Sequence, residues 1–414
     1  MRKRLLSLLL SASMAVMMLA GCGAGKTATD SGSAATEGSI EEAVASVAAE
    51  TPTGDPVKIG LLFSSTGSTS ISEGVMLAAT TLAIDEINAA GGVAGHPIEY
   101  IHEDIQSDSA VSAEKAKKLI LEDECQILFG AMSSQYRQAV LPVVEEYDAF
   151  LFYSTIYEGQ EQSPNIVYSA SIPNQIVPVV GSYMVEDMKR SKVFVIGTDY
   201  VYAHLLNEAF ITYLEENGVE IVGEEYTAFG QTDFSSLMTK IKASGADCIL
   251  SQVIGDSVVA MHKEYSNQGF KSSEVPIVSS ALGSNFIAAM GAENAAGNYY
   301  FCGVNTLKDE VIEEFTDKIY AKYGDMYAPD SSTYGYYVAV YLWAGAMEKA
   351  YAADDLSLDG LREQFFNASY GDVIMDPETN HAYAYAKIQY VEEDGSLTTV
   401  KQSESAEKPD PFAY

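Results

Sequence analysis

LFYSTIYEGQEQSPN, residues Leu151 to Asn165, is the point from which the rest of the chain can be placed. With Ala149 and Phe150 ahead of it, Leu151–Tyr153 completes a short apolar run of strand type. Ser154, Thr155 and Tyr157 follow at once, then Glu158 and Gly159, and Ser163–Pro164–Asn165 closes the segment as a turn. In an open, mostly parallel α/β sheet, ligands bind just beyond the carboxyl ends of the strands. The segment therefore places hydroxyls where a small polar molecule would sit. It holds no nucleophile with a base beside it, so it reads as a wall of a binding site.

The surrounding chain alternates strand and helix. Upstream, Val57–Phe63 is expected as a nearly continuous apolar strand with a polar exit at Ser64–Ser68. Val75, Leu77, Ala78, Leu82, Ile84 and Ile87 then recur on a helical period that stops at Gly91–Gly92. Strands are expected at 98–101 and 126–129, with helices at 110–121 and 135–147. Downstream the pattern restarts. Lys192–Gly197 is expected as a strand with a polar exit, Thr198–Asp199–Tyr200, followed by alternating helices and strands as far as 298–303. Two helices, 310–323 and 333–351, and a strand-rich tail with a hairpin turn at Asp394–Gly395 complete the chain. This predicts an α/β fold of two doubly wound lobes in tandem. Ser331–Met347 carries no charge but contains Gly335, Gly345 and four tyrosines, so a buried helix is expected there, not a membrane span.

Composition narrows the function. The chain has 414 residues, 47% of them hydrophobic, with 24 Lys+Arg against 58 Asp+Glu for a formal charge of −34. Such a field repels phosphate backbones and anionic lipid, so no nucleic acid is expected as a partner and no basic patch docks the chain on a membrane. Cys22, Cys125, Cys248 and Cys302 have neither metal-ligand nor redox spacing, and the five histidines are scattered. No serine sits in a nucleophile elbow. Neither metal nor cofactor is expected, and the chain reads as a binding protein, not an enzyme.

The amino terminus looks like an address. Arg2–Lys3–Arg4 precedes the apolar run Leu5–Ala20, which ends in Leu19–Ala20–Gly21–Cys22. This resembles the lipobox of bacterial lipoproteins and implies a signal peptide over 1–21 with lipidation at Cys22. AGCGAGKT, Ala20–Thr27, approximates a phosphate loop but lacks a preceding core strand and a following helix. Residues 22–56 are small and polar and read as a tether.

LLFSSTGSTSISEG, AIDEINAAGGVAGHPIEY, ILFGAMSSQYRQAVLPV, FYSTIYEGQEQSPNIVY and IGTDYVY, taken in order, resemble the type I periplasmic solute-binding proteins of ABC importers. YEGQEQSPN, IGTDYVY and the later DPETNH at Asp376–His381 are similar to the branch that binds urea and short-chain amides. The resemblance runs from about Val57 to the carboxyl terminus. It implies two lobes joined by a three-strand hinge, with crossings near Ile172–Asn174, Val304–Asn305 and Tyr370, so that 57–173 plus 305–370 form lobe 1 and 174–304 plus 371–414 form lobe 2. The ligand would lie in the cleft between them, and a lipid-anchored extracytoplasmic protein would hand it to a transporter permease. The alternatives are a branched-chain amino-acid-binding protein of an ABC importer and an amide-sensing regulatory module.

Urea and small amides are neutral, planar and rich in N–H donors, so their pocket must supply acceptors and one donor. Ser133 and Ser134 match family positions that meet the ligand, or they cap the following helix. Thr155 and Tyr157 come from the opening segment, and Tyr200 and Tyr202 match aromatic cleft residues of the second lobe. Asp256 matches an acid of the urea-like branch, or caps the helix from Ser257. Ser65 is a further candidate from the first exit loop. Met132 stands where the family often has an aromatic residue, and Ser154 where it often has proline; both bear on which ligand fits.

Overall fold

Short apolar runs become the inner strands because a parallel sheet is covered on both faces. In the computed structural model, which describes residues 52–414, the first lobe opens with β1 (Val57–Phe63), α1 (Ser70–Ala89), β2 (Ile98–Asp104), α2 (Ser109–Leu121), β3 (Ile127–Gly130), α3 (Ser134–Glu146), β4 (Phe150–Tyr153) and β5 (Ile166–Tyr168). These strands pair in parallel in the order β5-β4-β3-β1-β2. Alternation along β1 divides its side chains between two cores. Ile59, Leu61 and Phe63 pack with α1, while Leu62 packs on the opposite face with α2 and α3.

The second lobe comprises α4 (Pro173–Ser182), β6 (Lys192–Thr198), α5 (Val201–Glu216), β7 (Glu220–Thr227), α6 (Ser235–Ser244), β8 (Cys248–Gln252), α7 (Ser257–Asn267), β9 (Ile277–Ser279), α8 (Ser284–Met290), α9 (Ala292–Ala295) and β10 (Tyr299–Val304). The chain then returns to the first lobe for α10 (Asp309–Tyr323), α11 (Tyr334–Ala353) and α12 (Leu358–Phe366). α11 lies in the core beside α1, with Trp343 wholly buried. Among the described residues no helix is long and apolar enough to cross a membrane. The expected signal peptide, Cys22 and the tether up to residue 51 lie outside the described residues.

The tail departs from expectation. β11 (Ser369–Tyr370), β12 (Val373–Asp376) and β13 (His381–Ala382) extend the first sheet, and β13 pairs with β5 through His381 and Tyr168. The crossing expected near Tyr370 therefore falls between Ala382 and β14 (Tyr385–Val391), which pairs antiparallel with β10 and with β15 (Leu397–Gln402). Residues 371–382 belong to the first lobe's sheet, not to the second's. Between β13 and β14 the strand is interrupted at Tyr383, and Ala384 pairs with Glu407. The other two passages lie at 169–172 and 305–308.

Candidate functional site

The polar exits of β3, β4, β6, β8 and β9 all turn toward one space between the two sheets. It is a cavity of about 110 Å³, many times the ~10–15 Å³ that a single water needs. Ser133 and Ser134 reach it from the start of α3, Thr155 from the exit of β4, and Tyr200 and Tyr202 from the start of α5. The structure thus brings together five of the residues singled out from sequence, along with Met132 and Ser154.

Their hydrogen bonding is uneven. Ser133 is the N-cap residue of α3, yet its side chain makes no cap bond, and its buried Oγ has no partner within the protein. Ser134 Oγ donates to Glu158 Oε2 at 2.5 Å and accepts from Arg137 Nη1 at 3.2 Å. Thr155 Oγ1 pairs with the Tyr336 hydroxyl, and Ser154 Oγ with Ser169 Oγ at 2.8 Å. The Tyr200 and Tyr202 rings lie 5.8 Å apart. Burial pushes both phenols above their usual range, so they stay neutral.

Three candidates do not reach the cavity. Tyr157 is wholly buried behind it, stacked on Tyr168 at 5.3 Å, with its hydroxyl on His381 Nε2 and the Arg137 guanidinium 4.3 Å above its ring. Strand alternation would give Thr155 and Tyr157 the same face, but the chain has left β4 at Tyr153 and is irregular here, so the two side chains part. Ser65 is exposed on the far side of its loop, where its N–H donates to Asp104 Oδ1 at 2.9 Å. Asp256 neither lines the cavity nor makes a side-chain bond to α7. It sits where the lobes touch, its N–H donating to Ser68 O at 2.8 Å. Burial raises its carboxyl pKa, partly offset by the Ile71 backbone N–H of the other lobe, and its Oδ1 is buried without a hydrogen-bond partner in the protein.

Sequence reasoning missed several wall residues. Ser171 and Asn305 come from the hinge, Ser280 from the exit of β9, and Tyr336 from α11. The exit rule that found Thr155 would also have found Ser280; the hinge residues carry no such signal. Ser171 Oγ and Ser280 Oγ, like Ser133 Oγ, are buried without a partner in the protein. Gly303 makes room for Ser171: a Cβ there would lie 1.5 Å from Ser171 Oγ. Apolar wall is supplied by Met76, Ile156, Ile254, Phe286 and Val304. No Asp, Glu, Lys, Arg or His is among the lining residues. Among the described residues no group of three or more His, Cys, Asp or Glu side chains is placed to hold a metal, and Cys125, Cys248 and Cys302 are free and buried.

Two α/β lobes enclosing a small cavity at their strand exits define a two-lobed binding protein. Residues 57–414 match the family described as "Periplasmic binding protein domain", and the chain belongs to it. Its relatives are binding proteins, not enzymes. An "Amino acid binding protein" of Pseudomonas aeruginosa is 30% identical over 173 residues, 40% of this chain and only 46% of that relative. The "Leu/Ile/Val-binding protein homolog 7" of Brucella suis is 25% identical over 299 residues, 67% of this chain and 74% of the relative. Two solved structures share the fold. The branched-chain amino acid transporter substrate-binding protein LivJ of Streptococcus pneumoniae, in complex with isoleucine, superposes with a TM-score of 0.72 at 21% identity, covering 84% of this chain and 99% of its own. A solute-binding protein of an ABC transporter from Rhodopseudomonas palustris, in complex with p-hydroxybenzoic acid, gives 0.75 at 22% identity, covering 87% and 100%.

Proposed function

We propose that the chain captures a small uncharged polar solute, urea or a short-chain amide, and delivers it to an ABC importer from a lipid anchor at Cys22. The observation that carries this reading is the cavity wall, rich in hydroxyls and without a charged side chain. A buried ion is costly unless it is paired, so a wall without charge favours a neutral guest. Hydroxyls of Ser133, Ser171 and Ser280 offer free hydrogen-bonding capacity. The start of α3 adds backbone N–H groups and the positive end of a helix dipole, suited to a carbonyl oxygen.

A branched-chain amino acid is the second reading. The names of the relatives favour it, as does Asp256, which follows the wall residue Gly255 and keeps one carboxylate oxygen without a partner. That oxygen could reach an ammonium after a small shift of the 254–256 turn. Calorimetric titration with urea, formamide, acetamide and leucine, after stripping carried-over ligand by partial unfolding, separates the readings. Heat from urea or an amide supports the first; heat from leucine alone, lost in Asp256→Ala, replaces it with the second.

A further inference from the structure

Arg137 is buried to 0% exposure and Glu158 to 4%, directly behind a cavity whose wall carries no charge. Their pairing is close: Arg137 Nη2 donates to Glu158 Oε1 at 2.8 Å, and Arg137 Nε donates to Glu161 Oε1 at 2.8 Å. Tyr168 also donates to Glu161 Oε1 at 2.8 Å, and the guanidinium lies 4.9 Å from the Tyr153 ring centre. Buried ion pairs are rarely the most stable way to fill a core, because desolvation consumes most of the attraction. This one touches the binding site at a single side chain, Ser134.

A serine hydroxyl has one proton to donate and two lone pairs. In Ser134 the proton goes to Glu158 Oε2 at 2.5 Å, the short separation of a hydroxyl on an ionised carboxylate. One lone pair takes Arg137 Nη1 at 3.2 Å. A single lone pair remains for a guest. We propose that the Arg137–Glu158 pair fixes the hydrogen-bond polarity of Ser134, so that this hydroxyl meets a solute as an acceptor only. Arg137 and Glu158 are then positioning residues that select solutes presenting an N–H at this point over isosteres presenting only oxygen. The idea rests on the amide reading above and sharpens it, since a serine free to rotate would serve donors and acceptors alike.

N-methylacetamide and methyl acetate share a heavy-atom skeleton and differ by N–H against O, which makes them a suitable probe pair for competition calorimetry on the full chain. Ser134→Ala should lower affinity for the amide about ten-fold and affinity for the ester far less. Equal losses for both probes would mean that the hydroxyl donates as readily as it accepts, and would overturn the proposal. Glu158→Gln releases the hydroxyl proton, so the amide-to-ester preference should narrow by about ten-fold. In a Ser134→Ala background the same change should leave the preference where it was. A merely structural role for Glu158 would weaken both probes in proportion and hold the ratio constant in either background, which also overturns the proposal. If Glu158→Gln does not fold, the single change at Ser134 still decides the polarity. A wild type that binds leucine and neither probe removes the amide reading alone. The cycle is then run with leucine against 4-methylpentanoic acid, which lacks the N–H donors, and the same outcomes decide it.

Discussion

Ser133 Oγ is buried with no partner in the protein, so removing it takes away nothing the folded chain uses. Ser133→Ala should leave the melting temperature within a degree or two of wild type. If the bound solute fills that hydroxyl's vacancy, its affinity should fall about ten-fold, read by titration with the best ligand found. Tyr157 predicts the reverse. Its hydroxyl serves His381 and Glu161 O behind the cavity, so Tyr157→Phe should cost about 1–2 kcal/mol of stability, seen in thermal unfolding, with affinity nearly unchanged. At this scale the sequence was readable where side chains leave a strand in order: the exits of β3, β4 and β6 placed Ser133, Thr155 and Tyr200. It was not readable where burial decides. YEGQE, an irregular segment, gives no sign that Tyr157, Glu158 and Glu161 turn inward around Arg137, because the cation they surround comes from α3, about twenty residues upstream.

α1 begins at the exit of β1, and its first turn carries Glu73, wholly buried. Glu73 accepts the Ser64 N–H at 2.9 Å and the Thr69 hydroxyl at 2.5 Å, so it holds the loop that faces the second lobe. Burial pushes its carboxyl up to about 7 from 4.5, against the opposing hydrogen bonds of Thr69 and Ser64. A carboxyl raised by folding favours the protonated state, so its contribution is full below pH 4.5 and is lost as pH climbs through 7. The expected loss is about 3 kcal/mol. His262 and His381 slope the other way: burial holds both down at about 4 from 6.5, and their contribution is lost as pH falls through that window. Thermal unfolding of wild type and Glu73→Gln from pH 4.5 to 8 should isolate the carboxyl, the wild type losing ground to the variant as pH rises. A difference independent of pH would refute this. Most elements could be read from period and punctuation. α4, α8, α9, α12 and β5 could not: Pro173 opens α4 at its first turn, where proline is tolerated, but Pro173 and Pro178 together look like loop in a linear reading.

The whole molecule turns on how the lobes meet. Gly255, in the left-handed region at φ +66°, approaches Ser68 so closely that a Cβ would lie 2.5 Å from Ser68 O. Gly255→Val should prop the lobes apart, weakening ligand binding by ten-fold or more while each lobe keeps its own core. Titration would show the loss, and small-angle scattering would show a larger radius of gyration with ligand present. The two-lobe plan was readable because the alternation of strand and helix restarts at Lys192. The third crossing was misplaced because β11–β13 are too short to declare a sheet: β13 has two residues, and their partner on β5 lies some two hundred positions earlier. That long pairing also has a consequence for how the chain is made. The first lobe's core draws on residues up to Ala382, so a growing chain stays without its full first core through most of translation. A polypeptide that must be threaded through a narrow export channel gains from this delay, because it reaches the channel before it has a globule to unravel.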